Sequence, residues 1–242
     1  MTVDCTVRGH RGLLVAGLSG QLGLSDVGPL RLRLSTCLAE QPRALLLDLS
    51  GLAVVEPKTL ALFTVVARQA SLWPGSPVLL CGASTETDAL LSVAVRRRLP
   101  RFPSVETAAD HVERGGHAMP TIAEELLPVR GAASHGRNVA TDACLRWEVP
   151  DLVPAASLIC SELISNVVDH AHTMMTLRLS LSDRYLFIAV RDGSPVEPAA
   201  PPAGRFTHRG RGLRIVDATA HGWGCLPTDD GKVVWASLLV RS

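Results

Sequence analysis

Glu162 and Asn166 stand four residues apart in the run Ser161-Glu162-Leu163-Ile164-Ser165-Asn166-Val167-Val168-Asp169-His170-Ala171. At about 100° per residue, a helix here carries Ile159, Cys160, Leu163, Ile164, Val167, Val168 and Ala171 on one half. Glu162 and Asn166 then stack one turn apart on the other half, and Asp169 and His170 continue that side. Asparagine is a poor interior helix former, because its amide competes for backbone hydrogen bonds. Its place mid-helix suggests another use. A carboxylate and an amide at this spacing can hold a water and a hydrated Mg2+ beside phosphates. The same pattern also suits an ordinary solvated face.

Two further segments carry related chemistry. Ile188-Ala189-Val190-Arg191-Asp192-Gly193 reads as a strand ending in an acid and a glycine. The Asp192 carboxylate can accept a hydrogen bond from an exocyclic amine, and Gly193 lets a planar base approach the backbone. His208-Arg209-Gly210-Arg211-Gly212-Leu213 opens a helix. Glycines before a helix start expose N–H groups that suit a phosphate. Each segment alone is a weak signal, since hairpin ends and glycine turns are common.

In this order and with these gaps, the three segments resemble the N, G1 and G2 boxes of the GHKL ATPase superfamily. More closely, residues 161–171, Val190-Arg191-Asp192-Gly193-Ser194-Pro195 and Gly210-Arg211-Gly212-Leu213-Arg214-Ile215-Val216 resemble the ATP-binding domain of bacterial anti-sigma factor serine kinases. Trp223-Gly224 and Gly231-Lys232-Val233-Val234-Trp235 are similar to that family as well, so the resemblance spans residues 121–242. It implies a GHKL/Bergerat-type α+β layer sandwich that binds ATP and Mg2+. It implies Glu162 as general base, Asn166 as Mg2+ ligand and Asp192 against adenine with Gly193 beneath. Gly210, Arg211, Gly212 and Leu213 would surround the phosphates, and residues 194–209 would form the lid. A homodimer is implied by the same likeness. The segment departs from the family at Ser194-Pro195-Val196, which lacks a second glycine, and the lid is short and proline-rich. ATP binding is therefore expected more firmly than fast lid closure and turnover.

The elements that must position these groups are legible around them. Residues 132–145 and 152–171 read as two helices, and residues 176–181 and 185–191 as a hairpin. Leu177, Leu179 and Leu181 alternate with Arg178 and Ser180, which predicts one wet face. Residues 210–219 read as a glycine turn and helix, and 232–240 as the last strand. Helices on one face of a largely antiparallel sheet make an α+β layer sandwich.

The first half is ordered differently. Residues 13–18, 44–49 and 77–81 read as strands, the second running into a turn at Asp48-Leu49-Ser50-Gly51. Residues 24–38, a segment opened by Pro57, 85–98 and 105–113 carry helical spacing. Strands alternating with helices predict an α/β sheet covered by helices. This pattern, with Asp48-Leu49-Ser50-Gly51-Leu52-Ala53-Val54-Val55-Glu56, resembles a STAS domain, the fold of anti-sigma factor antagonists. In that family an acid and a phosphorylatable serine open the helix after this strand. Here Glu56 keeps the acid, but Pro57 holds the serine position, followed by Lys58 and Thr59. The usual phosphate switch is not expected, and Thr59 is a poor substitute for it. Arg114-Gly115-Gly116-His117-Ala118-Met119-Pro120 marks a boundary. The expected organisation is a STAS-like domain at 1–114, a linker at 115–120 and a histidine kinase-like ATPase domain at 121–242.

Composition bounds the rest. The 242 residues suffice for two domains, and with 47% hydrophobic and 19% charged residues they can bury cores. The formal net charge is +1, without the basic excess of a nucleic-acid binder. Arg96-Arg97-Arg98 reads as a solvated helix end. No long apolar stretch is apparent, so no membrane span is expected, nor does the N-terminus read as a signal peptide. The six cysteines lie at 5, 37, 81, 144, 160 and 225 without a C-x-x-C pair, and read as reduced thiols in a cytoplasmic protein.

Three functions fit this reading. One is a serine/threonine kinase acting on an antagonist-type STAS partner and so controlling a sigma factor. Another is a catalytically weak ATP-binding module that sequesters a sigma factor or other regulator. The third is a scaffold whose first domain occupies the second domain's partner surface.

Overall fold

The computed structural model describes residues 3–94, 99–115, 119–198 and 212–240. The chain divides into two compact units, Met1–Ala118 and Met119–Ser242. Each holds one five-stranded sheet, and the described residues include seven α-helices, a mixed α/β architecture.

In the first unit the strands run in the order β1 (Asp4–His10), β2 (Leu13–Leu22), β3 (Leu45–Val54), β4 (Val78–Cys81), β5 (Arg101–Phe102). β1 and β2 form an antiparallel hairpin, and every later pairing is parallel. The two-residue turn is Arg11-Gly12, both at positive φ (50° and 73°), which matches the twist of the strands it joins. Between the strands lie α1 (Val27–Ala39), α2 (Ala61–Leu72), α3 (Thr85–Ala94) and α4 (Val105–Arg114). Leu13, Val15, Leu46, Leu79 and Cys81 pack with Val105, Ala108 and Ala109 of α4. Leu45, Leu47 and Leu49 point the other way along β3 and are buried too, so this strand is covered on both faces. β1 was not expected from the sequence, because its inward residues are only half-buried on a sheet edge. The expected turn at Asp48–Gly51 is corrected: β3 runs through it, with a register shift opposite Gly17 and Ser19. There Asp48 Oδ1 accepts the Ser50 N–H at 3.1 Å. Residues 95–98, with the arginine cluster, lie outside the described residues.

The second unit contains β6 (Thr121–Leu126), α5 (Ala132–Arg146), α6 (Val153–Asn166), β7 (Met175–Leu181), β8 (Tyr185–Asp192), α7 (Gly212–Thr219), β9 (Gly222–Pro227) and β10 (Lys232–Leu239). Its sheet order is β6-β7-β8-β10-β9, antiparallel throughout. Leu177, Leu179, Leu186, Ile188, Val190, Val234, Ala236 and Leu238 form one core with Val139, Ala140 and Ala143 of α5, Ile159, Cys160, Leu163 and Ile164 of α6, and Leu213 and Val216 of α7. Three helices therefore bury their apolar stripes on one face of the sheet. α5 and α6 approach closely at Gly136, where a Cβ would meet Ile164 Cδ1.

Three expectations need correction here. β6 and β9 were not foreseen: the first is glutamate-rich, the second carries two glycines, and both become strands only by pairing with β7 and β10. The wet face of β7 is not found, since Ser180 is buried and Arg178 half-buried, burial that lowers the guanidinium's proton affinity. By length and composition Pro150–Ala171 does reach what a membrane-spanning helix needs; α6 within it supplies the core residues just named.

None of the six cysteines forms a disulfide, and Cys37, Cys81, Cys144 and Cys160 are buried. Burial pushes Cys81 up to about 12, aided by the Asp48 and Glu106 charges, and Cys144 up to about 11.

Candidate functional site

α6 gives the site its first wall. Its buried stripe is Ala156, Ile159, Cys160, Leu163 and Ile164, which leaves Ser161, Glu162, Ser165 and Asn166 half-buried on the other side. The α-helix ends at Asn166, and Val167–Ala171 continue as a single π turn closed by His172 in the left-handed region, φ 56°. The sequence predicted one uninterrupted helix through Ala171. The wider turn shifts the phase immediately after Asn166, so Asp169 and His170 stand exposed beyond the stack instead of extending it. Glu162 and Asn166 make no side-chain hydrogen bond among the described residues, which leaves both free to engage a ligand.

The start of α7 lies directly against Glu162. A Cβ placed on Gly212 would sit 2.6 Å from Glu162 Oε2, closer than a carbon and an oxygen tolerate. The absence of a side chain at Gly212 therefore lets the start of α7 pack against the Glu162 side chain of α6. Leu213 follows with its side chain 7% exposed in the core, so only its backbone can face a ligand. Gly210 and Arg211, expected beside the phosphates, lie outside the described residues, as does the lid beyond Pro198.

The second wall is the end of β8. Side chains of Asp192, Val190 and Ile188 share the core-facing side of the strand by the two-residue period. Asp192 pairs across the sheet with Lys232, the first residue of β10, and the two point the same way. Lys232 Nζ donates to Asp192 Oδ1 at 2.8 Å and to the Ser194 carbonyl at 3.0 Å. The Ser194 N–H donates to the same Oδ1 at 2.8 Å. The lysine and aspartate side chains are 5% and 0% exposed, so this is a buried ion pair. Oδ2 of Asp192 is also buried and has no hydrogen-bond partner among the described residues. A buried carboxylate oxygen left unpaired costs about 1–3 kcal/mol, a cost that a donor entering the site would remove.

Gly193 and Gly231 hold this end together. The Gly193 N–H donates to Thr173 Oγ1 at 3.0 Å, which ties β8 to the segment leaving the π turn. A Cβ on Gly231 would collide with the Asp192 carbonyl oxygen, so no side chain fits there. Cys225 lies nearby on β9, its thiol pushed up to about 11 by burial, then by Glu197 and Asp192 against the lowering effect of Lys232.

The structure thus joins Glu162 to Gly212, and Asp192 and Gly193 to Lys232 and Thr173. The sequence did not single out Lys232 or Thr173. A lysine opening an otherwise apolar strand was the available signal for the first; Thr173 had none, since its role depends on where the π turn delivers the chain.

In the first unit, Glu56 caps the 3-10 turn Pro57–Leu60, with Pro57 at its first position. Glu56 Oε1 accepts the Leu24 N–H at 3.2 Å. Thr59 is 2% exposed, and its hydroxyl donates to the Glu56 carbonyl at 2.6 Å. That hydroxyl is consumed in closing the turn.

No family model and no curated protein matches the chain. Several solved structures are similar to about half of it. The anti-sigma factor antagonist SpoIIAA in its unphosphorylated form is 19% identical with a TM-score of 0.39, covering 48% of this chain and 100% of its own. An anti-sigma factor antagonist from Mycobacterium paratuberculosis is 21% identical with a TM-score of 0.39, covering 46% and 94%. An anti-sigma factor antagonist from Thermotoga maritima is 13% identical with a TM-score of 0.42, covering 46% and 95%.

Proposed function

We propose that the second unit is a GHKL-type ATP-binding domain of the anti-sigma factor kinase kind, fused to a STAS-like unit that does not carry a phosphorylation switch. The observation that carries this reading is the pair of ligand-ready groups on neighbouring elements. Glu162 abuts the glycine that starts α7, and Asp192 keeps a buried acceptor oxygen without a donor. The resemblance of the three sequence boxes supports the same assignment.

In this reading ATP with Mg2+ supplies the phosphoryl group. Asn166 is the metal ligand, Asp192 accepts the adenine amine above Gly193, and the backbone at Gly210, Arg211, Gly212 and Leu213 meets the phosphates. Glu162 accepts the proton of the substrate hydroxyl, as phosphoryl transfer requires. The acceptor is an antagonist-type STAS protein supplied in trans, because Pro57 has no hydroxyl and Thr59 buries its own. A sigma factor is the regulated partner, the compartment is the cytoplasm, and the domain pairs as a homodimer.

Pro57 and the Ser194-Pro195-Val196 segment, which lacks a second glycine, favour a second reading, in which the protein binds ATP and sequesters a regulator with little transfer. Incubation with labelled ATP and Mg2+, with and without antagonist-type STAS proteins, separates the two. Label on a partner supports the kinase; ATP binding without label on any partner supports the sequestering module. Absence of ATP binding overturns both.

A further inference from the structure

Lys232 has no part in the roles assigned above, yet its buried ion pair with Asp192 fixes what that carboxylate can offer. A carboxylate with both oxygens free accepts two adjacent donors at once. Guanine presents such a pair, a ring N–H beside an exocyclic amine. Adenine presents one amine next to a ring acceptor. Oδ1 of Asp192 already accepts from Lys232 Nζ at 2.8 Å and from the Ser194 N–H at 2.8 Å. Oδ2 is buried without a partner among the described residues. The lysine is held in turn by the Ser194 carbonyl and by its register opposite Asp192.

The geometry points to Lys232 as a specificity-determining residue: by occupying Oδ1 it leaves Asp192 a single acceptor, so the site takes a base with one donor and rejects guanine. This rests on the proposed nucleotide reading of the site. The lysine does so from the side, as a neighbour of the recognition atom.

Nucleotide affinities of the full chain, measured by calorimetry at pH 8 with ATP and GTP, test this. The unmutated protein prefers ATP by about a hundredfold or more. Lys232→Met frees the lone pair of Oδ1 that the ammonium holds, the Ser194 N–H keeping the other, and GTP affinity rises while the preference shrinks about tenfold. Lys232→Gln keeps an N–H on Oδ1 and keeps the preference. A purely structural lysine would lower both affinities together and leave their ratio unchanged, which overturns the inference. The unmutated protein gives a second measurement should Lys232→Met not fold. N6-methyl-ATP retains one donor and binds like ATP, whereas N6,N6-dimethyl-ATP loses about tenfold or more. Equal binding of the dimethyl compound, or of GTP and ATP, overturns the role of Lys232 and leaves the nucleotide site standing. No binding of any nucleoside triphosphate overturns the site and the inference together.

Discussion

Glu162 Oε2 lies 2.6 Å from the point where a Cβ on Gly212 would stand, so these two elements meet through a glycine. The contact gives Gly212 a definite cost of substitution. Gly212→Ala forces the half-buried Glu162 side chain aside, and a rotation of that chain is cheap in stability. The expected result is a melting temperature close to that of the unmutated protein with phosphotransfer reduced about tenfold or more, the scale of a displaced general base. Equal transfer rates in the two proteins would separate Glu162 from the reaction.

Glu162→Gln and Asn166→Ala test the proposed base and the proposed metal ligand separately. The first is expected to bind ATP and lose transfer by about a hundredfold or more. The second is expected to lose the Mg2+ dependence of ATP binding. A Glu162→Gln protein that transfers normally, or an Asn166→Ala protein whose affinity still responds to Mg2+, removes the respective role.

Breaking a buried ion pair strands a charge. Lys232→Met is expected to lower unfolding stability by about 3–5 kcal/mol. The double change Asp192→Asn with Lys232→Met removes both charges and recovers most of that loss. Urea unfolding checks both, and a double variant no more stable than the single one contradicts the pairing.

Gly231→Ala drives a Cβ into the Asp192 carbonyl oxygen, a backbone atom that cannot swing away as a side chain can. The expected loss is about 1–3 kcal/mol, the range for forced overpacking. ATP affinity should fall with it, because the oxygen belongs to Asp192.

Thiols set a pH limit. Folding raises Cys81 from 9.0 to about 12, and Cys144 and Cys225 from 9.0 to about 11. Above pH 9 the unfolded chain releases these protons and the folded chain keeps them, so stability is complete below that pH and declines as it rises toward 12. Melting temperatures between pH 8 and 11 should fall, and Cys81→Ala should flatten the decline. An identical slope in that variant excludes the thiol as a cause.

Thr59 should carry no phosphate after incubation with ATP and any kinase of the antagonist-directed type, as mass spectrometry of the digested protein would reveal. Pro57→Ser restores a hydroxyl at the exposed start of the turn and is expected to accept phosphate there. Label on Thr59 in the native protein contradicts the burial argument.

The helices were legible because their signals are local. Apolar residues at helical spacing marked α1, α2, α4, α5 and α6; in the last, Ile159, Cys160, Leu163, Ile164 and Val167 are buried as expected, Ala156 joins them, and Val168 and Ala171 are half-buried. The strands β7, β8 and β10 announced themselves by apolar runs. β1, β6 and β9 did not, since their strand character comes from neighbours that the local sequence does not contain. The turn expected at Asp48–Gly51 failed for a related reason: Gly51 fits closely against Ser19 on the adjacent strand, which turns a breaker into a bulge partner.

The sequence by itself determined which residue types could do chemistry, because Glu162, Asn166, Asp192 and the glycine turn carry their chemistry in their own side chains and spacing. Tertiary structure alone decided how those groups are conditioned. The π turn that ends the stack at Asn166, the glycine that admits α7 to Glu162, and the lysine that arrives 40 positions after Asp192 to bury its ammonium beside it are products of strand register and packing. A charge pair across two strands has no period along the chain; it exists only once the sheet has set its register.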